Sequence, residues 1–326
     1  MEDFLFALGV ITPLMLIVAV GYLLKRKGLF RADTAKEVNK VVFRILIPTT
    51  VFLNIYNIED VGGIDLTYVF FVAVVTLCVF FISIPLSGVI TKDPKRRGVI
   101  SQAMYRSNYA LVGISLVTAI CGENGGAEAA LLSVVSVSMF NIFAVISLTV
   151  FKDGDRRIDP LKLIVNILKN PLIISVLSAL LILIVRALFV KAGISFRLSD
   201  IKPIMTTVKY LSASSTPVAL ICLGAQFEFS AIKGMRRELF WGVFIRTVAV
   251  PAVGLGLAYL FFDFTSGVFA ALIASFATPL SVSSAPMAQE MGSDGILAGQ
   301  LVMWTTLVSA LTLFGFIYAL RLLGAF

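Results

Sequence analysis

Apolar segments of about twenty residues recur along the whole sequence from Phe6 to Leu322, separated by short polar stretches. A helix of that length crosses a hydrocarbon core about 30 Å thick and satisfies its own backbone hydrogen bonds while doing so. The apolar–polar alternation of a membrane β-barrel is absent. Ten segments can be read, over 6–24, 41–57, 66–90, 99–121, 127–151, 171–190, 210–227, 240–262, 268–289 and 296–322. Of the 326 residues 59% are hydrophobic and 14% charged, too little polar surface to cover a soluble domain of this length. The expected class is an all-α polytopic membrane protein of ten transmembrane helices embedded in a lipid bilayer.

The formal charge of +8 does not read as a nucleic-acid signal, because the basic residues occupy alternate loops. They lie at Lys25–Lys27, Arg31, Lys36 and Lys40; at Lys92, Lys95, Arg96 and Arg97; at Lys152, Arg156, Arg157, Lys162 and Lys169; and at Lys233, Arg236 and Arg237. The intervening loops over 57–65, 121–128 and 263–267 are nearly free of Lys and Arg, with the sixth loop (Lys191, Arg197, Lys202) as the exception. The positive-inside rule places the basic loops in the cytoplasm, both termini outside, and the protein in a plasma or inner membrane. The acidic start, Met1-Glu2-Asp3, lacks the basic region of a cleaved signal peptide, so the first span is expected to be retained.

The chemistry is limited by what the sequence omits. It has no histidine, and its three cysteines, Cys78, Cys121 and Cys222, are scattered. No disulfide framework, metal site or other cofactor is expected. HExxH, GxSxG and Walker A motifs are missing, which argues against an intramembrane enzyme or a self-contained ATP-driven pump.

A weak internal repeat divides the chain. Pro13-Leu14-Met15-Leu16 in span 1 is matched by Pro171-Leu172-Ile173-Ile174 in span 6, and Pro48 in span 2 by Pro217 in span 7. Residues 1–151 and 170–326 form the two halves and 152–169 a basic cytoplasmic linker. Five spans per half is an odd number, so the second half enters the membrane inverted, a common carrier architecture with substrate sites at broken helices.

Spans 4 and 9, at equivalent places in the halves, look broken. Span 4 carries Arg106, Ser107 and Asn108 inside an apolar stretch, followed by Gly113 and Ser115. Span 9 carries Pro279 and Pro286 with Ser281, Ser283 and Ser284 between them. Each proline removes a backbone donor. Half-helix N-termini meeting in mid-membrane would offer free N–H groups to an anion, and Arg106 would add a planar donor fork. A second reading stands beside this one. Arg106 lies about eight residues, or about 12 Å, from the start of its span and could snorkel. The serines could serve helix packing alone. Arg246 reads either as a snorkelling anchor or as a partner for Glu290 or the binding region. Glu290 and Asp294 read as a solvated boundary or as coupling and gating groups.

These residues resemble the auxin efflux carrier family, which includes plant PIN carriers and bacterial malate and malonate permease-like proteins. The resemblance covers nearly the whole chain. It is most specific from Pro279 through Ala288-Gln289-Glu290-Met291-Gly292-Ser293-Asp294, and extends to Arg106, Asn108 and Gly113, to Arg246 with Pro251, and to the run from Pro217 to Gly224. Ser115 stands where the family usually has proline. The resemblance implies a 5+5 inverted repeat in which broken helices 4 and 9 cross at the substrate. Spans 1, 2, 6 and 7 would form a scaffold, with elevator-like motion of the rest and a homodimer. The expected function is secondary transport of a small organic anion. The alternative is a sodium-coupled organic-anion symporter of the bile-acid symporter class.

Overall fold

Fifteen α-helices make up the described part of the computed structural model, which covers residues 2–57, 66–121, 126–152 and 160–325. The loops over 58–65, 122–125 and 153–159, the last with Arg156 and Arg157, lie outside the described residues. In chain order the helices are α1 (Glu2–Arg26), α2 (Ala32–Val41), α3 (Ile47–Tyr56), α4 (Thr67–Ile90), α5 (Pro94–Tyr105), α6 (Ile114–Cys121), α7 (Gly126–Lys152) and α8 (Pro160–Leu168). Then follow α9 (Pro171–Lys191), α10 (Lys202–Gln226), α11 (Arg236–Phe244), α12 (Val250–Phe261), α13 (Ser266–Phe276), α14 (Ser284–Glu290) and α15 (Gly295–Leu322).

Seven helical stretches among the described residues are long and apolar enough to cross a membrane: 32–56, 67–90, 131–151, 171–191, 202–226, 236–261 and 295–322. Two shorter apolar helices, Tyr109–Thr118 and Ser266–Phe276, belong to the interrupted segments. The outer faces are apolar as well. On α9, Ile174, Leu177, Leu181, Ile184 and Leu188 form one exposed stripe at helical spacing, a face suited to acyl chains rather than water.

The sequence reads eight spans as uninterrupted helices; two of these contain a π segment. Val42–Leu46 joins α2 to α3, and Ile245–Ala249 joins α11 to α12. Each begins six residues before a proline, Pro48 and Pro251. Proline offers no N–H to the helical ladder, and widening to i→i+5 bonds re-pairs the neighbouring carbonyls, as Ile47 N–H to Val42 and Val250 N–H to Ile245. A third π segment, Tyr109–Gly113, opens the second half of span 4. At the same offset it has Ser115, whose hydroxyl bonds the Leu111 carbonyl one turn back (3.0 Å). The segment read as a linker also holds more structure than its charge suggests: α8 is a short helix with Leu161, Ile164 and Leu168 exposed.

Helices α1 and α10 pack most closely, and α3 packs on α9. Glycine permits the first contact. A Cβ on Gly21 would run into the Ile221 carbonyl, and one on Gly224 into the Val18 carbonyl. The backbones therefore touch directly, as small residues allow in membrane helix pairs. On the other side α5 packs between α4 and α7, while α13 lies against α6 and α7, and α14 against α15.

Candidate functional site

Two chain breaks meet in the interior. Helix α5 stops at Tyr105 because Arg106 turns to extended backbone (φ −82°, ψ 111°). Helix α13 stops at Phe276, three residues before Pro279. The two non-helical stretches form an antiparallel bridge between Ser107 and Leu280, with the Asn108 N–H donating to the Pro279 carbonyl at 2.8 Å. The Leu280 N–H is taken by the Thr305 hydroxyl (3.1 Å). Non-helical backbone is tolerated at membrane depth only when it is buried in protein and paired, and each break supplies the other's partner. Pro286 falls in the first turn of α14, where its missing N–H costs little.

The four half-helix ends are treated differently. The C-terminal carbonyls of α13 and α5 converge on Arg246, which is completely buried behind the crossing. Its guanidinium donates to the carbonyls of Phe276 (2.5 Å), Thr278 (3.0 Å), Ser275 (3.3 Å) and Met104 (3.4 Å). A permanent cation there offsets the negative ends of both helix dipoles. Arg246 is thus neither a snorkelling anchor nor a partner of Glu290. At the N-terminal ends, the sequence expects free N–H groups on both half-helices. Helix α14 has few: the Ser284 and Ala285 N–H groups donate to the Ser281 and Val282 carbonyls, and Pro286 has none. On the span 4 side, the N–H groups of Tyr109, Ala110 and Leu111 open the π segment with no backbone partner among the described residues.

A cavity of about 370 Å³ adjoins the crossing. One wall carries Arg106, Ser107, Asn108, Asn141, Ser281 and Ser283; the other is built from α1, α3 and α10, with Thr50, Asn54, Ser212 and Thr216 among apolar side chains. Arg106 is 2% exposed and does not snorkel. Its Nη2 donates to Ser283 Oγ (2.7 Å) and Asn141 Oδ1 (2.9 Å). Its Nη1 reaches Met287 Sδ (2.9 Å) and Gln102 Oε1 (3.3 Å). Asn141 is oriented by its own amide, which donates to the Val137 carbonyl (2.9 Å). All these acceptors are neutral, and no carboxylate among the described residues lies within ion-pair distance of Arg106. Beside it, Ser107 Oγ and Asn108 Nδ2 are buried on the cavity wall without a partner. A buried cation flanked by unpaired donors is a site for a ligand that brings negative charge and acceptor atoms.

The other residues singled out from the sequence lie elsewhere. Ser115 points away from the cavity, exposed, with its hydroxyl on Leu111. Gly113 packs on Ala274, where an added Cβ would meet the alanine Cβ at 3.0 Å; it permits close approach of spans 4 and 9. Pro279 contributes its carbonyl to the crossing, and Ser284 is buried with its hydroxyl unpaired but off the cavity wall. Asp294 caps α15 through the Leu297 N–H (2.9 Å) and pairs with Arg96 (3.1 Å), which also holds Glu238 (3.0 Å). Glu290 ends α14 half-buried, in the field of Arg44, Lys40 and Glu37. Sequence reasoning missed Asn141, although a lone asparagine in the apolar run of α7 is a signal. It also missed the polar groups of α3 and α10.

Comparison with known proteins agrees with this architecture. A family model described as membrane transport protein matches residues 6–317. An uncharacterized transporter of Methanocaldococcus jannaschii is 26% identical over 274 residues, 78% of this chain and 79% of its own length. An uncharacterized transporter of Methanothermobacter thermautotrophicus is 22% identical over 313 residues, 93% of this chain and 95% of its own. A polytopic helical chain with a polar cavity at two paired breaks, matched almost end to end by one family model, belongs to the membrane transport protein family of auxin efflux carrier type.

Proposed function

We propose that this transporter is a secondary carrier that moves a small organic anion across the plasma membrane, with Arg106 as the anion-recognising charge. The observation that carries this reading is the buried Arg106 guanidinium on a cavity wall, held only by neutral acceptors and flanked by the unpaired donors of Ser107 and Asn108. Ser281 and Ser283 complete the binding wall. Arg246 holds the crossing together behind it, and Asp294 and Glu290 belong to the basic face rather than to the ligand.

In this reading ten membrane-crossing segments form two inverted halves, 1–151 and 170–326, joined by 152–169, with both termini extracytoplasmic. The pairing of α1 with α10 and of α3 with α9 supports it, since exchanging the two halves converts one pair into the other. Spans 1, 2, 6 and 7 serve as the scaffold of a homodimer. The unit containing both broken spans slides against it as an elevator, carrying Arg106 and the ligand from one side to the other. The cavity lies where such a unit meets the scaffold, with α1, α3 and α10 opposite the crossing.

The test is uptake in proteoliposomes, using organic acids first selected by their thermal stabilisation of the purified protein. Arg106→Ala and Asn108→Ala are expected to abolish or strongly reduce uptake of the acid that stabilises the parent protein. Unchanged uptake in both variants overturns the site. Imposing sodium and proton gradients separately on the same vesicles identifies the coupling ion.

A further inference from the structure

A second concavity, of about 390 Å³, lies on the opposite side of α11 from the Arg96 cluster, between α11 and α15. It runs from Arg236, the first residue of α11, past Phe240, Val243 and Thr247, with Trp304 and Val308 forming its far side. The distance from Arg236 to Val248 along a helix is about 18 Å, close to the depth of one bilayer leaflet. The lining is apolar apart from three groups. The Thr247 hydroxyl donates to the Val243 carbonyl (2.8 Å), and the Trp304 indole N–H to Gln300 (3.2 Å). That leaves Arg236 at the mouth, exposed and without a carboxylate partner among the described residues, with the exposed Lys233 in the turn before it.

From this charge and shape we infer that the groove is a binding site for an anionic phospholipid of the leaflet at the basic face. One acyl chain lies along Val243, Trp304 and Val308, and the headgroup phosphate sits at Arg236. Basic residues at the mouth of an apolar crevice between membrane helices attract anionic headgroups. Phe240, one turn beyond Arg236, and Phe244, a turn deeper, line the groove, and Trp241 packs edge-on against both, an aromatic cluster of the kind found toward the headgroup level. The Gly234 carbonyl, two residues before Arg236, accepts from Arg96 (3.0 Å), so the headgroup site is braced by the ion cluster that joins α5, α11 and α15.

The chain has two tryptophans, and only Trp304 lines the groove, while Trp241 packs on Phe240 and Phe244, so removing Trp241 makes the test direct. In full-length W241F protein, Trp304 is the sole indole. The protein is reconstituted in phosphatidylcholine vesicles containing lipids brominated on the acyl chain, with either a phosphatidylglycerol or a phosphatidylcholine headgroup. Brominated phosphatidylglycerol is expected to reach half-maximal quenching of Trp304 at about fivefold lower mole fraction than brominated phosphatidylcholine. Arg236→Gln is expected to bring that ratio to one. Val308→Phe, which fills the groove, is expected to reduce quenching by both lipids. Equal quenching by the two lipids before mutation overturns the assignment, as does a phosphatidylglycerol preference that survives Arg236→Gln. Quenching unaltered by Val308→Phe places the chain elsewhere. Protection of Trp304 from both lipids alike would mean that a second copy of the protein covers the groove, which also overturns it.

Discussion

Arg106 of span 4 and Ser283 of span 9 are joined at 2.7 Å across the crossing, so the one buried charge on the cavity wall is held by a residue from the other half of the chain. The contact ties the position of the guanidinium to the relative placement of both breaks. Ser283 in turn lies 2.9 Å from Ser281, and both face the cavity.

Arg106→Lys separates charge from shape. Lysine keeps the positive charge but not the planar fork whose one arm reaches Ser283 and Asn141 while the other reaches Gln102 and Met287. Ligand affinity is expected to fall by about 1.5–3 kcal/mol, the range for hydrogen bonds to charged groups. Isothermal titration with the acid identified by thermal screening measures it, and Arg106→Ala should lose binding altogether.

Arg246→Met should act on the fold rather than on ligand affinity. It keeps much of the side chain's bulk but abandons four buried carbonyls at the ends of α13 and α5. Each unsatisfied buried group costs about 1–3 kcal/mol. The expected result is a large drop in the thermal midpoint in detergent, with Arg246→Lys intermediate because a single ammonium cannot reach all four.

Gly21→Ala and Gly224→Ala are each expected to destabilise by about 1–3 kcal/mol through overpacking, because the added methyl meets backbone that has no rotamer to change. Gly256→Ala serves as the control: no atom lies within 4 Å of its added Cβ. Thermal melts of the three variants in one detergent make the comparison.

Ser115→Pro is expected to be nearly neutral for stability, within about 1 kcal/mol. The π segment before it already has the offset seen before Pro48 and Pro251, and proline would replace a side chain directed away from the cavity. Leu116→Pro, one residue later and fully buried, should cost about 3 kcal/mol or more. Thermal melts decide between them.

What was legible in the sequence is what local chemistry dictates. Span positions follow from apolar length. The break in span 9 follows from Pro279, and the break in span 4 from Arg106-Ser107-Asn108, because such residues cannot continue an apolar helix facing lipid. What was not legible depends on partners remote in the chain. The four carbonyls around Arg246 come mostly from residues about thirty positions away, so its sequence neighbourhood suggested a surface anchor. The far wall of the cavity was hidden for another reason. Thr50 bonds the Leu46 carbonyl on its own helix, as hydroxyls do in most membrane helices, so only the fold reveals that it borders a cavity. The π segments are hidden for a third reason: each adds one residue to an otherwise apolar span without changing its composition.

A π turn holds about one residue more than the α turn it replaces, which offsets everything beyond it by about 100° around the helix axis. Each of the three affected spans is therefore two stripes out of phase with each other, joined at residues 42–46, 109–113 or 245–249. Losing a single residue inside one of these stretches would not shorten the span so much as swivel its far end. In span 4 that swivel would carry Gly113 off Ala274 while leaving Asn108 at the crossing, so a one-residue deletion there acts as a rotation about the ligand site.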